Sequence, residues 1–469
     1  MPEQPVPLSP LWWVSRLYKR LVDRRGEVEF YNDYYAGDHP LPWLAPQARE
    51  EFRRILKMTR SNYMGLVCDA TAERLQIEGF RLGPDADEAD AETWRIWQAN
   101  NMDSDFDQGI LEALIGARSY ALVAPNPDDG RTPRIWVEHP SQTIVEYEPG
   151  SNRRVRAAGL KVWDDDWTQE IHATLYLPAE IYKFKAPRPK SGVASPNPQW
   201  ESREVEREDW PAKNPLGVVP LVEVPNNPRL LTGGVSELAD VTDIQDRINK
   251  TIADRLITQD YGAFPQKWAV AWPNEDEGGN PNTIDVGRNR MVTTEVKETK
   301  FGQWDAAPLD PYSAAKREDV KDIASRTRTP AQYLLGELNN VNGETLKAAE
   351  SGLVSKVRQR MRSFGEAAEE IARLARKAAN LPEGEGAAME TIWRNPEFRT
   401  EAELTDAVVK RVQAGISSLR QGREDVGYTQ QQIARMEADD REAAVDPLLE
   451  RALRESQVTD AAVGTESLP

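Results

Sequence analysis

Asp285, followed by Glu295-Val-Lys297, carries the side-chain types used in metal-assisted phosphodiester cleavage. In such sites two carboxylates hold a divalent metal and a lysine assists the attacking water. The spacing is common by chance, and the surrounding stretch is turn-rich and too small for a nuclease core. A structural role is the stronger reading. His39, His139 and His172 lie far apart, and none sits in a His-Glu-x-x-His pattern. Asp164-Asp-Asp166 could bind a cation, but with Trp163 and Trp167 beside it the run fits a hairpin turn better. The chain has no Gly-x-x-x-x-Gly-Lys-[Ser/Thr] phosphate loop and no Gly-x-Ser-x-Gly elbow. No catalytic residue, metal ligand or cofactor is therefore assigned.

The chain has 469 residues, which corresponds to roughly two to four domains. It is 39% hydrophobic and 29% charged, enough to bury cores beneath a very polar surface. Its net charge of −18 argues against tight duplex binding, which rests on Lys and Arg neutralising phosphates. Such a chain could still guide DNA without holding it. The single cysteine, Cys68, excludes an intramolecular disulfide and lies in an apolar helical run, where it reads as a small core residue. No run approaches the roughly 18 apolar residues of a membrane span. The N-terminus lacks the pattern of a signal peptide, so synthesis in the cytoplasm is expected. The basic, aromatic segment Trp12–Arg25 could lie on a membrane surface. Packing on its own domain or on a neighbouring subunit is the favoured reading, and no membrane partner is expected.

Periodicity predicts an α+β chain, mainly helical. Residues 1–120 read as helices, with an aromatic turn at Tyr31-Asn-Asp-Tyr-Tyr-Ala-Gly-Asp-His-Pro-Leu-Pro42 and a short strand near Phe80. From about 119 to 225 apolar and polar side chains alternate as strands, around 120–124, 134–138, 143–147, 157–163, 171–177 and 180–184. Residues 187–209 read as a Pro/Ser-rich loop. A helix is predicted from Ser236 to about Tyr261, with Leu238, Val241, Ile244, Ile248, Ile252 and Leu256 on one face. A turn-rich insert, 264–309, contains strand-like runs at Trp268–Trp272 and Arg290–Val296. A second helix follows, with Asp310 as N-cap and Pro311 at its first position. Beyond a polar loop, Gly336–Gly343, comes one long helix capped by Asn342 and stopped by Asn380-Leu-Pro382. Two or three more helices occupy 400–455, and the small, polar tail after Ser456 is expected to be disordered.

In combination these segments resemble the portal proteins of tailed double-stranded DNA bacteriophages, of the kind found in phages of actinobacteria. The carriers are the Tyr31–Pro42 string, Asn214-Pro-Leu-Gly-Val-Val-Pro220, and Arg326-Thr-Arg-Thr-Pro-Ala-Gln-Tyr-Leu-Leu-Gly336 followed by Asn342-Gly-Glu-Thr-Leu-Lys-Ala-Ala-Glu350. Their order and combination, rather than any one string, make the likeness. The resemblance implies a portal fold with wing, stem, clip and crown regions, assembled as a ring of about twelve subunits through a heterologous interface. It maps residues 1–233 to the wing, 234–262 and 310–329 to two stem helices, and 263–309 to the clip. Residues 330–345 become the tunnel loop, 346–395 a long wing helix, 396–455 a helical crown and 456–469 a disordered tail. The implied role is structural, not enzymatic: a DNA channel at one capsid vertex of the virion, serving packaging, head–tail joining and ejection. The implied partners are further copies of the chain, double-stranded DNA, the terminase large subunit, the major capsid and scaffold proteins, and a head–tail adaptor. A metal-dependent nucleic-acid enzyme and a different head–tail ring component are the alternatives.

The residues fit the channel mapping at two points. Leu338, Asn339, Asn340, Val341 and Asn342, the expected DNA-facing loop, include no Lys or Arg, which suits a surface past which DNA slides. Lys316, Arg317, Lys321, Arg326 and Arg328 make the second stem helix locally basic. Either they contact phosphates or they pair with carboxylates of a neighbouring subunit, and pairing is favoured.

Overall fold

The computed structural model describes residues 5–43, 52–83, 89–152, 154–189, 198–205, 209–230, 233–263, 267–270, 297–336, 343–382, 388–397, 401–428 and 431–441. The first part of the chain runs α1 (Pro10–Ala36), α2 (Arg53–Lys57), α3 (Met64–Ala72), β1 (Ile77–Arg81), α4 (Ala91–Ala99) and α5 (Met102–Gly116). Nine strands follow: β2 (Arg118–Ala124), β3 (Arg134–Glu138), β4 (Thr143–Tyr147), β5 (Arg156–Asp165), β6 (Glu170–Tyr176), β7 (Glu180–Pro187), β8 (Glu201–Ser202), β9 (Ala212–Lys213) and β10 (Leu221–Pro225). Then come α6 (Thr242–Ala263), β11 (Lys267–Val270), β12 (Lys300–Gln303), α7 (Asp310–Thr327), α8 (Ala331–Leu335) and α9 (Gly343–Ala378). The last elements are β13 (Glu390–Trp393), α10 (Glu401–Gln413) and α11 (Leu419–Val426), with residues 431–441 again helical. No described helix is long and apolar enough to cross a membrane.

The chain divides into two compact units, 1–32 with 67–239 and 340–469, and 33–66 with 240–339. This differs from the division drawn from sequence, because 33–66 leaves the wing segment and joins the unit that holds the two central helices.

In the first unit an antiparallel sheet runs β4-β5-β6-β7-β8, with β9 also on β7. Alternation sends Ala158, Leu160 and Val162 of β5, and Ile171, Ala173 and Leu175 of β6, to one face. Val14, Leu17, Tyr18 and Leu21 of α1, at helical spacing, close over that face as its core. The opposite side of α1 is held electrostatically: Arg16 and Arg20 both reach Glu146, at 2.7 and 2.8 Å. The Trp12–Arg25 segment therefore packs on its own unit. A second sheet, β10-β2-β3, buries Tyr120, Leu122, Val219 and Leu221 together with Val145. Gly159 is required where the two meet, since a Cβ there would stand 2.7 Å from Leu221.

The 36-residue α9, roughly 54 Å long at 1.5 Å per residue, buries Leu353, Val357, Met361, Phe364, Ala368, Ile371, Ala375 and Ala378 at steps of three and four. It ends at Ala378, where Leu381 N reaches back to Arg376 O. The segment mapped as helix to 395 thus contains β13, which pairs antiparallel with β1.

Other boundaries differ from expectation for identifiable reasons. The Tyr31–Ala36 stretch is helix rather than turn. Val28 and Tyr34 continue the buried face of α1, and Gly37, at φ +83°, terminates it. The first central helix starts at Thr242, not Ser236. Ser236 Oγ accepts from Leu238 N and Leu114 O accepts from Glu237 N, holding this stretch as a turn. Leu238 and Val241 are buried all the same. Asp310 is the first residue of α7 and not its cap, a position that Leu309 occupies. Within 187–209, the segment read as loop, β8 pairs with β7. The partner of β11 is β12. Arg290–Val296 lies outside the described residues, as do Trp272, the Asn342 cap and the tail after Ser456.

Candidate functional site

The second unit centres on α6 and α7. Ile244, Ile248, Ile252 and Ala253 form the buried stripe of α6, and Val320, Ile323, Ala324 and Thr327 that of α7. Two polar residues, Gln245 and Asn249, interrupt the stripe four residues apart, and both are fully buried. A buried amide is tolerated only when its donors and acceptors are matched. Here they are. Gln245 Oε1 accepts from Tyr63 N at 3.1 Å and its Nε2 donates to Ser61 O at 2.6 Å. Asn249 Oδ1 accepts from Ser61 N at 3.1 Å, and its Nδ2 stands 3.0 Å from His39 Nδ1. His39 Nε2 lies 3.1 Å from Tyr34 O. A neutral ring protonated at Nε2 satisfies both contacts at once. Burial lowers the pKa of His39, with Tyr34 O and Asp246 opposing the shift. Burial likewise raises Asp246, whose Oδ2 accepts from Tyr34 OH at 2.9 Å. The α6 amides thus fasten residues 34–39 and 61–63 to the helix. Sequence reasoning missed this role, although a polar pair inside an apolar stripe was the available signal.

Charged pairs link α6 to α7. Arg247 Nη2 reaches Asp319 at 2.6 Å and Asp322 at 3.1 Å. Near the other end Thr258 Oγ1 donates to Tyr312 OH at 3.2 Å. The basic residues of α7 find partners inside the chain. Lys316 stands over the Tyr63 ring at 5.7 Å, Lys321 pairs with Glu318 at 2.8 Å, and Arg326 donates to Asp240 O at 3.2 Å. Arg317 also interacts within the chain, and Arg328 is exposed at the C-cap with φ 55°. Leu338, Asn339, Asn340, Val341 and Asn342 lie outside the described residues.

Of the residues first weighed for chemistry, His39, His139 and His172 stand in separate surroundings. Asp285 and Glu295 lie outside the described residues, and Lys297 is exposed. Asp164–Asp166 form a hairpin end: Asp165 Oδ1 accepts from Trp167 N at 2.9 Å, and Arg188 pairs with Asp166 at 2.7 Å. His139 contacts Ser141 and Glu112. His172 lies between Asp165 and Glu170, edge-on to Trp163. Cys68 is fully buried, and burial raises its pKa well above the ordinary thiol range, so it is inert packing. Among the described residues no group of three or more His, Cys, Asp or Glu side chains could hold a metal ion.

A second polar centre, in the first unit, also escaped sequence reasoning. Glu237 is buried against α9, where Arg360 Nη2 reaches its Oε1 at 2.6 Å and Lys356 Nζ lies 3.6 Å from its Oε2. Asn226 Nδ2 donates to Glu237 Oε1 at 3.1 Å. The same strap is locked through its backbone. Asn226 N and Glu237 N donate to Ala117 O and Leu114 O, and a Cβ on Gly234 would fall 1.9 Å from Ala117 O.

Comparison with known proteins places the chain in a family. A family model described as phage portal protein, SPP1 Gp6-like, matches residues 16–446. The portal protein of Mycobacterium phage D29 is 32% identical over 401 residues, spanning 81% of this chain and 79% of that protein. The portal protein of Mycobacterium phage L5 is 32% identical over 441 residues, spanning 90% and 86%. Among solved structures, a chain from the neck of an empty GTA particle (C6 symmetry) is 15% identical, with TM-score 0.43 over 83% of this chain and 95% of that one. A chain from the neck of a native GTA particle (C12 symmetry) is 14% identical, with TM-score 0.41 over 85% and 99%. At those TM-scores the overlap carries no weight, and the assignment rests on the sequence matches. The chain belongs to the SPP1 Gp6-like family of phage portal proteins.

Proposed function

We propose that the chain closes into a ring of about twelve copies, forming the channel through which double-stranded DNA enters and leaves the capsid. One observation carries this reading: two paired helices, α6 and α7, flank an insert and are followed in the chain by the short α8 and then by the 36-residue α9. In that arrangement α6 and α7 are the stem, residues 263–309 the clip, and 338–342 the tunnel loop. The stem's charges fit a surface that does not grip DNA. Lys316, Lys321 and Arg326 are engaged within the chain, which leaves less cationic charge for phosphates, and the chain as a whole carries −18.

The ring works as a structural part, with packaging driven by the terminase large subunit docking on the clip. A head–tail adaptor later takes the same end, while capsid and scaffold proteins hold the wing at the vertex of the virion. Deleting Asn339–Asn342 tests the loop's role. Heads should assemble with rings in place but fail to fill with DNA or to retain it. DNA-filled heads in normal yield from that variant would overturn the tunnel-loop assignment.

A further inference from the structure

The polar centre around Glu237 has one corner that the side chains themselves do not complete. The Lys356 side chain is 5% exposed and the Glu237 side chain 6%. Glu237 Oε1 takes Arg360 Nε at 2.7 Å, Arg360 Nη2 at 2.6 Å and Asn226 Nδ2 at 3.1 Å. Oε2 faces Lys356 Nζ across 3.6 Å. An N–H···O bond spans about 2.7–3.2 Å, so this contact is an attraction between charges without a hydrogen bond. Lys356 Nζ makes no hydrogen bond among the described residues, although an ammonium is a triple donor and this one is sealed from solvent.

Asn226 has the complementary lack. It is fully buried, and its Nδ2 donates to Val235 O at 2.7 Å as well as to Glu237 Oε1. Both of those partners are acceptors, which fixes the amide the right way round. Its Oδ1 is buried and accepts from no donor among the described residues. Buried polar groups are matched as a rule. Here an ammonium needs an acceptor and an amide oxygen needs a donor, and both belong to neighbours of one carboxylate.

The chemistry of these atoms selects what can join them. The partner must accept from Nζ and donate to Oδ1 and Oε2. A halide could accept from the ammonium but would face two bare oxygens. A metal cation could serve the oxygens but would stand against Lys356 and Arg360. Water has a proton for each oxygen and a lone pair for the ammonium. It also suits the spacing. An oxygen ~2.8 Å from both Nζ and Oε2 forms the apex of a triangle on the 3.6 Å gap, a separation typical of water-bridged contacts.

We infer that one ordered water binds between Lys356 Nζ, Glu237 Oε2 and Asn226 Oδ1, joining α9 to the strap that runs from Asn226 to Glu237. With three polar partners it is held as part of the fold. The ammonium gives up bulk solvent on burial but keeps a hydrogen bond, which is how a lysine is retained beside Arg360. The inference stands on one chain and does not depend on the ring reading.

The test is a structure of the full-length chain, in any assembly state, at a resolution that shows ordered solvent and with bromide replacing chloride. The expected result is a density peak about 2.7–3.2 Å from all three atoms, with no anomalous signal from bromine. An anomalous peak would identify a halide and overturn the assignment. Absence of a peak, with Nζ turned into direct contact with Oδ1 or Oε2, would overturn it as well. Magnetic resonance on isotope-labelled lysine gives a check in solution. The Lys356 ammonium protons should cross-relax with a long-lived water, a signal lost in Lys356→Arg. Ammonium protons that meet no such water would contradict the inference.

Discussion

Arg360 grips Glu237 with two nitrogens of its guanidinium, Nε at 2.7 Å and Nη2 at 2.6 Å, with both side chains buried. Burial by itself would raise the Glu237 pKa, but the charges of Lys356 and Arg360 outweigh it and hold the carboxyl below its ordinary range. Lys356 gains less. At 3.6 Å it does not recover its own desolvation, and its pKa is lowered. Removing the shared carboxylate leaves two buried cations without compensation. Glu237→Ala should therefore cost about 3–5 kcal/mol of unfolding free energy in urea. A loss under about 1 kcal/mol would mean that water reaches the site.

The lowered Glu237 pKa also sets an acid limit. Its stabilisation is complete above the ordinary carboxylate pKa of about 4.3 and is lost as pH falls through the lower folded value. Thermal scans should show Glu237→Gln losing less stability than the wild type between pH 5 and pH 3. Parallel losses in the two proteins would contradict this.

His39 gives the second unit a milder sensitivity. Its folded pKa is lowered by burial, so the unfolded chain takes up the proton first as pH falls. Its stabilisation is full above the ordinary pKa of about 6.5 and erodes as pH drops from there toward the folded value. The melting temperature of wild type should therefore fall more than that of His39→Gln between pH 8 and pH 5. Identical falls would show that His39 does not carry the effect.

Asn249→Ala removes the partner of both Ser61 N and His39 Nδ1, so about 1–3 kcal/mol should be lost on denaturant unfolding. Arg247→Ala, by contrast, breaks pairs on the exposed side of α6 and should cost under about 1 kcal/mol. The reverse order would invalidate the account of how α6 is fastened.

Gly234→Ala drives a methyl group into the Ala117 carbonyl. We expect a loss of about 3 kcal/mol, at the upper end for overpacking, and lower soluble yield. Wild-type stability would show that the strap can move aside.

Elements whose signal is local were legible from the residues alone. Strands β2 to β7 alternate side chains between turns, and α9 carries an unbroken three-and-four stripe from Leu353 to Ala378. The start of α6 was misplaced because Leu238 and Val241 continue its apolar spacing while Leu114, more than a hundred positions earlier, captures the backbone. Tyr34 looked like part of a turn because Gly37 and two prolines follow closely, yet its face belongs to α1. The burial of Lys356 and Arg360 was not legible, since Glu237, their partner, lies over a hundred residues away. Partnering at that distance leaves no mark in a local pattern. The resemblance to portal proteins was legible in whole strings such as Asn214–Pro220, whose asparagine proves structural: Nδ2 of Asn214 donates to Leu177 O and Val218 O.

The central claim is that copies of this chain close around an open channel. Electron microscopy of the purified protein, paired with its mass in solution, tests it most directly. Rings of about a dozen subunits with a central opening are the expected result. A compact dimer with a closed cleft would contradict the account and return attention to Asp285, Glu295 and Lys297.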